Sequence, residues 1–342
     1  MLSCCERQSV FPNDAKGERK LKAGIIGNGN VGLAVLHELR RINGLNEIAL
    51  MGRNGEKVRA EIEDCLDAHV LYPDGGIRLY GGGYELAEGA DLLIYTAGTG
   101  RTPGQSRLDL VEKNLEITEA LFTEIRKYNQ DAIVICVTNP VDIITTFVRR
   151  LTGWDRRRVI GTGTLLDEAR LTRYVASLLD LSPRNVNLFV MGEHGGSACI
   201  QWSLSRILGM KFEDYFSMDI RDEQPEIDRQ RLLEKMKNTG AQIIRGKGST
   251  SYGVASAVRK IVEAIMGDTH EVMSVSTELC GEYGITGQAV STPCMIGRGG
   301  VLEIKELLLA DAEAAALKQS AVTLAEIFAA TKYASKCQGN AD

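Results

Sequence analysis

Three side chains near the middle of the chain could together act on an acid that carries a carbonyl group. Asp167 and Arg170 lie three residues apart in a segment with helical periodicity, so they leave the same face. His194 follows within a Met-Gly-Glu-His-Gly run, where glycine lets the backbone approach a ligand closely. The imidazole could move a proton, the carboxylate could orient it, and the guanidinium could hold a substrate carboxylate. Each residue alone is more often a solvated surface residue, so the surrounding elements must decide.

The composition restricts the class of protein. A chain of 342 residues favours two domains over one core. Its formal net charge of −5, without a basic block, argues against nucleic acid as the partner. No apolar run reaches the roughly 20 residues that span a bilayer, and the N-terminus lacks the apolar stretch of a secretory signal. Eight cysteines without metal-ligand spacing predict no metal site and a reducing cytoplasm.

A glycine-rich turn follows the first apolar strand, which we expect at 21–26. Its residues are Gly27, Asn28, Gly29, Asn30, Val31 and Gly32, a G-x-G-x-x-G pattern. A segment with helical periodicity follows to Ile42, and a second strand is expected at 47–51. Set between strand and helix, such glycines allow a tight turn, and the helix N-terminus offers free N–H groups to a pyrophosphate. The pattern therefore predicts a dinucleotide-binding unit.

The residues after the second strand bear on which coenzyme binds. A free ribose 2′-hydroxyl favours an acidic residue about 20 residues beyond the glycines. Gly52, Arg53 and Asn54 occupy that position, and the first acid is Glu56. Arg53 offers a charge and donors that suit a 2′-phosphate, so we expect NADP to be preferred over NAD. In the alternative, Arg53 stacks on adenine or points to solvent and the coenzyme is NAD.

Strands and helices alternate through the first half of the chain. This alternation predicts an α/β fold, a Rossmann doubly wound parallel sheet, in which ligands bind at the carboxyl ends of the strands. Ala97 and Gly98 end one such strand, and Asn139 with Pro140 ends another. We therefore expect these residues to form the floor of the site.

The strict alternation ends near Leu165, and the second half has a mixed α+β pattern with antiparallel strands expected at 271–279 and 289–296. We also expect a strand at 185–191, an amphipathic helix at 252–267 and a helix rich in alanine and leucine at 307–332. We predict an N-terminal arm at 1–20, a dinucleotide-binding Rossmann domain at 21–164, a substrate-binding α+β catalytic domain at 165–333 and a flexible tail at 334–342. The loop from Thr99 to Arg107 is rich in glycine, proline and threonine, and could bring Arg101 or Arg107 over a bound keto acid.

At these residues the chain resembles the L-lactate/L-malate dehydrogenase superfamily, including its L-2-hydroxyisocaproate dehydrogenase branch. The segments that carry the resemblance are 27–32, 96–114, 137–142, 159–170, 192–195, 247–254 and 295–301. The resemblance implies that His194 is the general acid and base, that Asp167 orients it, and that Arg170 binds the substrate carboxylate. It further implies that Arg107 polarises the carbonyl and that Asn139 contacts both the carbonyl region and the nicotinamide ribose.

The resemblance also places three further residues and an oligomer. Asn114 and Val137 belong to the matched segments around the coenzyme, and Thr250 corresponds to a position near the substrate pocket. Thr250 could instead be a helix N-cap. Family resemblance implies a homodimer or a homotetramer.

Arg101 bears on the substrate. Its position has glutamine in typical lactate dehydrogenases and arginine in malate dehydrogenases. A second carboxylate would pair with this arginine, so we expect malate and oxaloacetate to be preferred. The stretches at 161–167 and 247–252 look closer to the hydroxyisocaproate branch, so L-lactate or L-2-hydroxyisocaproate dehydrogenase is the alternative. From other classes, an NAD-dependent glycosidase and a non-catalytic coenzyme-binding protein remain open.

Overall fold

The computed structural model describes residues 20–71, 76–100, 106–217 and 228–334. The strands in these ranges are β1 (Leu21–Ile26), β2 (Leu45–Met51), β3 (Arg78–Gly82), β4 (Leu92–Tyr95), β5 (Ile133–Cys136), β6 (Val159–Gly161), β7 (Val186–Asn187), β8 (Val190–Met191), β9 (Cys199–Ile200), β10 (Arg206–Ile207), β11 (Met210–Lys211), β12 (Glu271–Cys280), β13 (Thr286–Gly297) and β14 (Gly300–Ile304). The α-helices are α1 (Asn30–Leu39), α2 (Gly55–Leu71), α3 (Arg107–Ile125), α4 (Val141–Thr152), α5 (Leu165–Leu179), α6 (Phe212–Ser217), α7 (Arg229–Lys247), α8 (Tyr252–Gly267) and α9 (Asp311–Ala329). The N-terminal arm, most of the C-terminal tail and Arg101 lie outside the described residues.

The first half of the chain forms the predicted Rossmann sheet. Strands β3, β2, β1, β4, β5 and β6 lie side by side in that order, and every pair is parallel. The order reverses between β1 and β4, which is where a ligand binds in doubly wound sheets. The turn between β1 and α1 lies at this point.

The long strands of the second half join the sheet formed by the first. Strand β12 pairs antiparallel with β6 through Ser276 and Gly161, and β13 and β14 continue the same nine-stranded sheet. Both antiparallel strands occur where they were expected and are longer than predicted. Two small sheets complete this half: β7, β10 and β11 form one, and β8 and β9 the other. The second half is therefore tied by backbone pairing to the sheet that carries the glycine turn.

Alternate residues of the central strands enter two different cores. On β5, Ile133 and Ile135 join the cluster beneath α1 and α8, whereas Val134 and Cys136 join the cluster beneath α3, α4 and α9. Successive side chains of a strand point to opposite faces, so both faces of the sheet are covered. This packing fixes the carboxyl ends of the strands as a rigid edge on which a site can be built.

A third, smaller core holds α5 in place. Leu171, Val175 and Leu179 of α5 recur at helical spacing and pack against Leu232 and Met236 of α7. The same helix carries Asp167 and Arg170 in its first two turns. No helix in the described part of the chain is long and apolar enough to cross a membrane.

Candidate active site

The turn between β1 and α1 has the backbone geometry of a phosphate cradle. Gly27 has φ of +114°, and a Cβ placed on Gly32 would lie 1.9 Å from the carbonyl oxygen of Gly27, so both positions require glycine. Gly29 is the N-cap of α1 and supplies no side-chain cap, so the first N–H groups of the helix are left for a ligand. A Cβ on Gly29 would meet no atom within 4 Å, so the space above it is open. The residues present therefore fit the pyrophosphate of a dinucleotide.

The end of β2 lies against this cradle. A Cβ on Gly52 would come within 2.9 Å of the Asn28 side-chain oxygen, and the Asn28 amide nitrogen is buried without a hydrogen bond among the described residues. The ammonium group of Lys57 donates to the Asn28 carbonyl oxygen at 3.1 Å, and Arg53, which follows Gly52, is exposed. Asn54 caps α2 by accepting from the Lys57 amide at 3.0 Å. The predicted part of Gly52, Arg53 and Asn54 in coenzyme binding stays a prediction.

The predicted floor is assembled around Asn114 on α3. Its side chain is buried, accepts from the Thr99 amide at 2.8 Å and donates to the carbonyl oxygens of Thr99 and Asn139, the latter at 2.7 Å. The hydroxyl of Thr138 donates to the Ala97 carbonyl oxygen, and a Cβ on Gly98 would lie 2.5 Å from the Thr138 methyl group. Asn114 therefore joins the ends of β4 and β5 through backbone contacts, while direct coenzyme binding by its side chain stays a prediction.

Two other predicted residues lie at the end of β5. Val137 is buried, whereas Asn139 is exposed at the edge of the sheet and precedes a cis peptide bond to Pro140. Asn139 is therefore the one of the two whose side chain can reach a ligand.

Three consecutive backbone amides hold the loop that carries His194. The Gly192 amide donates to the carbonyl oxygen of Ser291 on β13, and the Glu193 amide donates to the hydroxyl of Ser320 on α9 at 2.7 Å. The His194 amide donates to the carboxylate of Asp142 on α4 at 2.8 Å. Each bond reaches a different element, so the position of the imidazole is fixed by the packing of the fold.

Asp167 joins the histidine to the arginine. One carboxylate oxygen lies 2.6 Å from Nδ1 of His194, and the other accepts from Nη1 of Arg170 at 3.0 Å. The side chains of Asp167 and Arg170 are 6% and 11% exposed, whereas that of His194 is 25% exposed. The structure therefore brings together the three residues predicted from the sequence. Bonding at Nδ1 leaves Nε2 as the nitrogen that can exchange a proton with a ligand.

The charges of this cluster hold the histidine protonated. The negative charge of Asp167 and its hydrogen bond raise the pKa of His194 to about 9, against the opposing effects of burial and of Arg170. Burial favours the protonated form of Asp167, but His194 and Arg170 outweigh it and lower the pKa of this carboxyl. At neutral pH the cluster is thus an imidazolium, a carboxylate and a guanidinium, which suits an anionic substrate.

Of the two loop arginines and Thr250, the structure describes only Arg107 and Thr250. Arg101 lies outside the described residues, and Arg107 is the first residue of α3, directly after the capping residue Ser106. Their predicted roles therefore remain predictions. Thr250 is half-buried before α8, whose N-cap is Ser251, so the alternative that Thr250 caps this helix is wrong.

Sequence reasoning missed two acids next to the site. Asp142 accepts from the His194 amide, and Glu168 accepts from the Val190 amide at 3.0 Å, which ties α5 to β8. Asp142 follows the Asn139-Pro140 strand end and Glu168 follows Asp167, so both stand beside residues already singled out. Their partners are 52 and 22 residues away in the chain, and no local pattern indicates such pairings.

Two family models match the chain. The one described as lactate/malate dehydrogenase, NAD binding domain, matches residues 21–161, and the one described as lactate/malate dehydrogenase, alpha/beta C-terminal domain, matches residues 164–333. Together they take in the glycine turn and the Asp167–His194 cluster.

Curated relatives and solved structures agree with these matches. An L-lactate dehydrogenase of Acetivibrio thermocellus is 36% identical, with 90% of this chain and 96% of the relative covered. An L-lactate dehydrogenase of Nitratidesulfovibrio vulgaris is 37% identical, with 90% and 99% covered. The crystal structure of a minor L-lactate dehydrogenase from Enterococcus mundtii is 35% identical with a TM-score of 0.85, covering 90% of this chain and 98% of that one. These relatives carry the lactate name, which favours the lactate alternative over the malate preference expected from Arg101.

Proposed function

Because the chain belongs to the lactate/malate dehydrogenase family, we propose that it is an NAD-dependent L-2-hydroxy acid dehydrogenase whose preferred substrates are pyruvate and L-lactate. The hydrogen-bonded series from Arg170 through Asp167 to His194 carries the proposal, because it presents a proton donor and a carboxylate-binding cation together. The names of the relatives support pyruvate over oxaloacetate.

His194 transfers the proton in this reaction. In the direction of reduction, a bound reduced nicotinamide supplies the hydride to C2 of the keto acid. The protonated Nε2 of His194 donates to the carbonyl oxygen, and the charge left on Asp167 keeps the ring in the tautomer that presents Nε2. In the direction of oxidation, the neutral imidazole accepts the hydroxyl proton.

The arginines fix and polarise the substrate. Arg170 holds the C1 carboxylate through the donors that its bond to Asp167 leaves available, because a guanidinium has five N–H groups. Arg107, which begins α3 beside the loop, is assigned to polarising the carbonyl as charge develops on its oxygen. Asn139 contributes an amide at the exposed end of β5.

A panel of substrates tests the proposal. Pyruvate, oxaloacetate and 2-ketoisocaproate are each reduced with NADH and with NADPH, and kcat/KM is compared. We expect pyruvate to give the highest value. A higher value with oxaloacetate would establish the malate reading, and Arg101→Gln should then move the preference toward pyruvate if Arg101 binds the second carboxylate. Hydrolysis of a glycoside without net reduction of any keto acid would establish the glycosidase class instead.

Two histidine variants, one at the site and one away from it, test the role of His194. His194→Asn should lower turnover by about 100-fold or more while coenzyme affinity, followed by NADH fluorescence, stays the same. His270→Asn changes an exposed histidine on the loop before β12 and should leave both unchanged. Near-normal turnover in His194→Asn would refute the role.

The coenzyme preference rests on the end of β2. The family model is named for NAD, whereas Arg53 and Lys57 supply two cations suited to a 2′-phosphate, so NADP is the second candidate. Arg53→Ala should raise the KM for NADPH and leave that for NADH nearly unchanged if NADP binds there. Equal effects on both coenzymes would show that Arg53 does not select between them.

Two further predictions concern the whole molecule. A homodimer or homotetramer is expected from the resemblance, and sedimentation velocity of the purified protein would distinguish these from a monomer. A cytoplasmic location is expected from the cysteine usage, and fractionation of the source cells would test it.

A further inference from the structure

The starts of two helices from different halves of the chain meet beside the glycine turn. Asn30, the first residue of α1, donates from its side-chain amide to the hydroxyl oxygen of Ser249 at 3.0 Å. Ser249 lies three residues before the start of α8, and 219 residues separate it from Asn30. The second half of the chain therefore brings a side chain to the edge of the cradle that the glycine turn forms.

Helices α1 and α8 lie side by side and run in the same direction. The bond between Asn30 and Ser249 joins their starts, and further along Arg259 of α8 donates to the carboxylate of Glu38 on α1 at 3.3 Å. Both helices bury apolar residues in the same core. Helices that run in the same direction bring ends of like charge together, so two positive N-terminal ends lie at one edge. An anion bound there would offset their repulsion.

Hydrogen-bond donors without protein partners collect at this edge. Pairing within α1 begins with the Leu33 amide and within α8 with the Ala255 amide, so the earlier amides of both helices have no partner in their own helix. Neither helix has a side-chain cap at its start. The hydroxyl oxygen of Ser249 accepts from Asn30, and among the described residues its own proton has no acceptor. A ligand with several oxygen acceptors would satisfy these donors.

The charge of the edge also suits an anion. The ammonium group of Lys247 donates to the hydroxyl of Ser251, the N-cap of α8, at 3.0 Å. The sequence has no acidic residue at 27–32 or at 246–254, so neither segment brings a negative charge to the edge. The pyrophosphate of a dinucleotide is a dianion, and the cradle for it is the glycine turn itself.

We propose that Ser249 is a coenzyme-binding residue supplied by the second half of the chain, and that its hydroxyl donates to the pyrophosphate of a dinucleotide held on the glycine turn. Asn30 occupies the hydroxyl oxygen and so leaves the proton for the ligand, while the start of α8 adds a second positive helix end. The assignment rests on the coenzyme part of the proposed function, but it is tested by binding without any substrate and can therefore fail separately.

Equilibrium binding of NADH, followed by its fluorescence, tests the contact. Ser249→Ala should raise the dissociation constant by about fivefold or more, because a hydrogen bond to a charged phosphate is lost. Ser256→Ala, which removes an exposed hydroxyl from α8, should leave the dissociation constant unchanged. An unchanged dissociation constant in Ser249→Ala would overturn the proposal.

ADP-ribose locates the contact on the coenzyme. This compound keeps the pyrophosphate and lacks the nicotinamide ring. As a competitor of NADH it should lose affinity for Ser249→Ala by the same factor as NADH does. Full affinity for ADP-ribose together with weakened NADH would place the hydroxyl at the nicotinamide and would overturn the assignment to the pyrophosphate.

A double-variant cycle and thermal melting separate binding from folding. Asn30→Ala should also weaken NADH, and the combined variant should lose less affinity than the product of the two single losses, because the two side chains act together. The coenzyme-free melting temperature of Ser249→Ala should match that of the unaltered chain, since the bond lies at the exposed surface. A marked fall in that temperature would assign the serine to the fold instead.

Keto-acid reduction distinguishes the role of Ser249 from the proposed function. If the unaltered chain reduces keto acids and Ser249→Ala binds NADH as tightly as that chain does, the role of Ser249 is refuted and the function stands. If Ser249→Ala weakens NADH and ADP-ribose equally while the unaltered chain reduces no keto acid, the function fails and Ser249 keeps its assignment.

Discussion

Replacing Asp167 by asparagine should remove most of the proton that His194 carries at neutral pH. The pKa of His194 is about 9 and its ordinary value is 6.5, and the charge of Asp167 is the largest cause of the difference. At about pH 7.5 these two values correspond to about 97% and about 9% protonated imidazole, a loss of roughly tenfold. Burial and Arg170 both lower the pKa once the carboxylate is gone, so tenfold is a lower bound for keto-acid reduction.

The pH dependence separates loss of charge from loss of orientation. At about pH 6 a histidine with a pKa of 6.5 is again about 76% protonated, so the ratio of variant to unaltered kcat/KM should recover by roughly eightfold or more between these two pH values. A contribution from misorientation of the ring would not change with pH. The assay is the pH profile of pyruvate reduction at saturating NADH, from about pH 6 to about pH 9.5.

Stability provides an independent measurement of the same pair. The shift of about 2.5 pH units in His194 corresponds to about 3 kcal/mol. The histidine binds its proton more tightly in the folded chain, so this stabilisation is complete below pH 6.5 and is lost as the pH rises through about 9. The pKa of Asp167 is lowered in the folded chain, so the pH dependence of its contribution is reversed. That stabilisation is present above about pH 3.8 and is lost as the pH falls below it. Asp167→Asn should therefore destabilise most between about pH 4 and 6.5.

The control for these experiments is Asp131→Asn, which removes an exposed acid that lies 3.7 Å from Arg158. Its activity profile and its melting curve should match those of the unaltered protein. A variant-to-unaltered ratio for Asp167→Asn that is the same at every pH would refute the reasoning, because it would show that the carboxylate orients the ring without setting its charge.

Other changes have equally definite outcomes. Arg170→Lys should raise the KM for pyruvate by about tenfold or more without changing coenzyme affinity, because a lysine cannot form paired hydrogen bonds to a carboxylate. The control Arg173→Lys, on the exposed part of the same helix, should leave the steady-state kinetics unchanged. Gly32→Ala should lower the melting temperature of the coenzyme-free protein, because its Cβ would lie 1.9 Å from the Gly27 carbonyl oxygen. Gly29→Ala should leave that melting temperature nearly unchanged and weaken coenzyme binding measured by fluorescence titration, because its Cβ enters open space.

The nucleotide-binding half could be predicted from the sequence because its signals are local. Parallel strands buried on both faces appear as short apolar runs, and the glycine turn lies directly between the first strand and the first helix. Helix α8 was also predicted with its observed bounds, Tyr252–Gly267, because its apolar residues recur at helical spacing.

Elements whose ends depend on distant partners were predicted less well. A single strand was expected at 185–191, but the chain forms β7 and β8 separately, each paired with a different sheet. The last helix was expected at 307–332 and extends over Asp311–Ala329. The backbone before it is held elsewhere, because the Leu307 amide donates to the hydroxyl of Tyr283. Residue spacing carries no information about such partners.

The two acids that hold His194 show why one could be predicted and the other could not. The ionised form of Asp167 is stabilised in the fold, because pairing with His194 and Arg170 lowers its pKa. Its three-residue spacing from Arg170 is visible in the sequence. The ionised form of Asp142 is destabilised, because burial raises its pKa from 3.8 to about 6. The folded chain therefore becomes less stable by about 3 kcal/mol as the pH rises through that interval. The bond between Asp142 and the His194 amide joins residues 52 apart in the chain, and no spacing in the sequence indicates that contact.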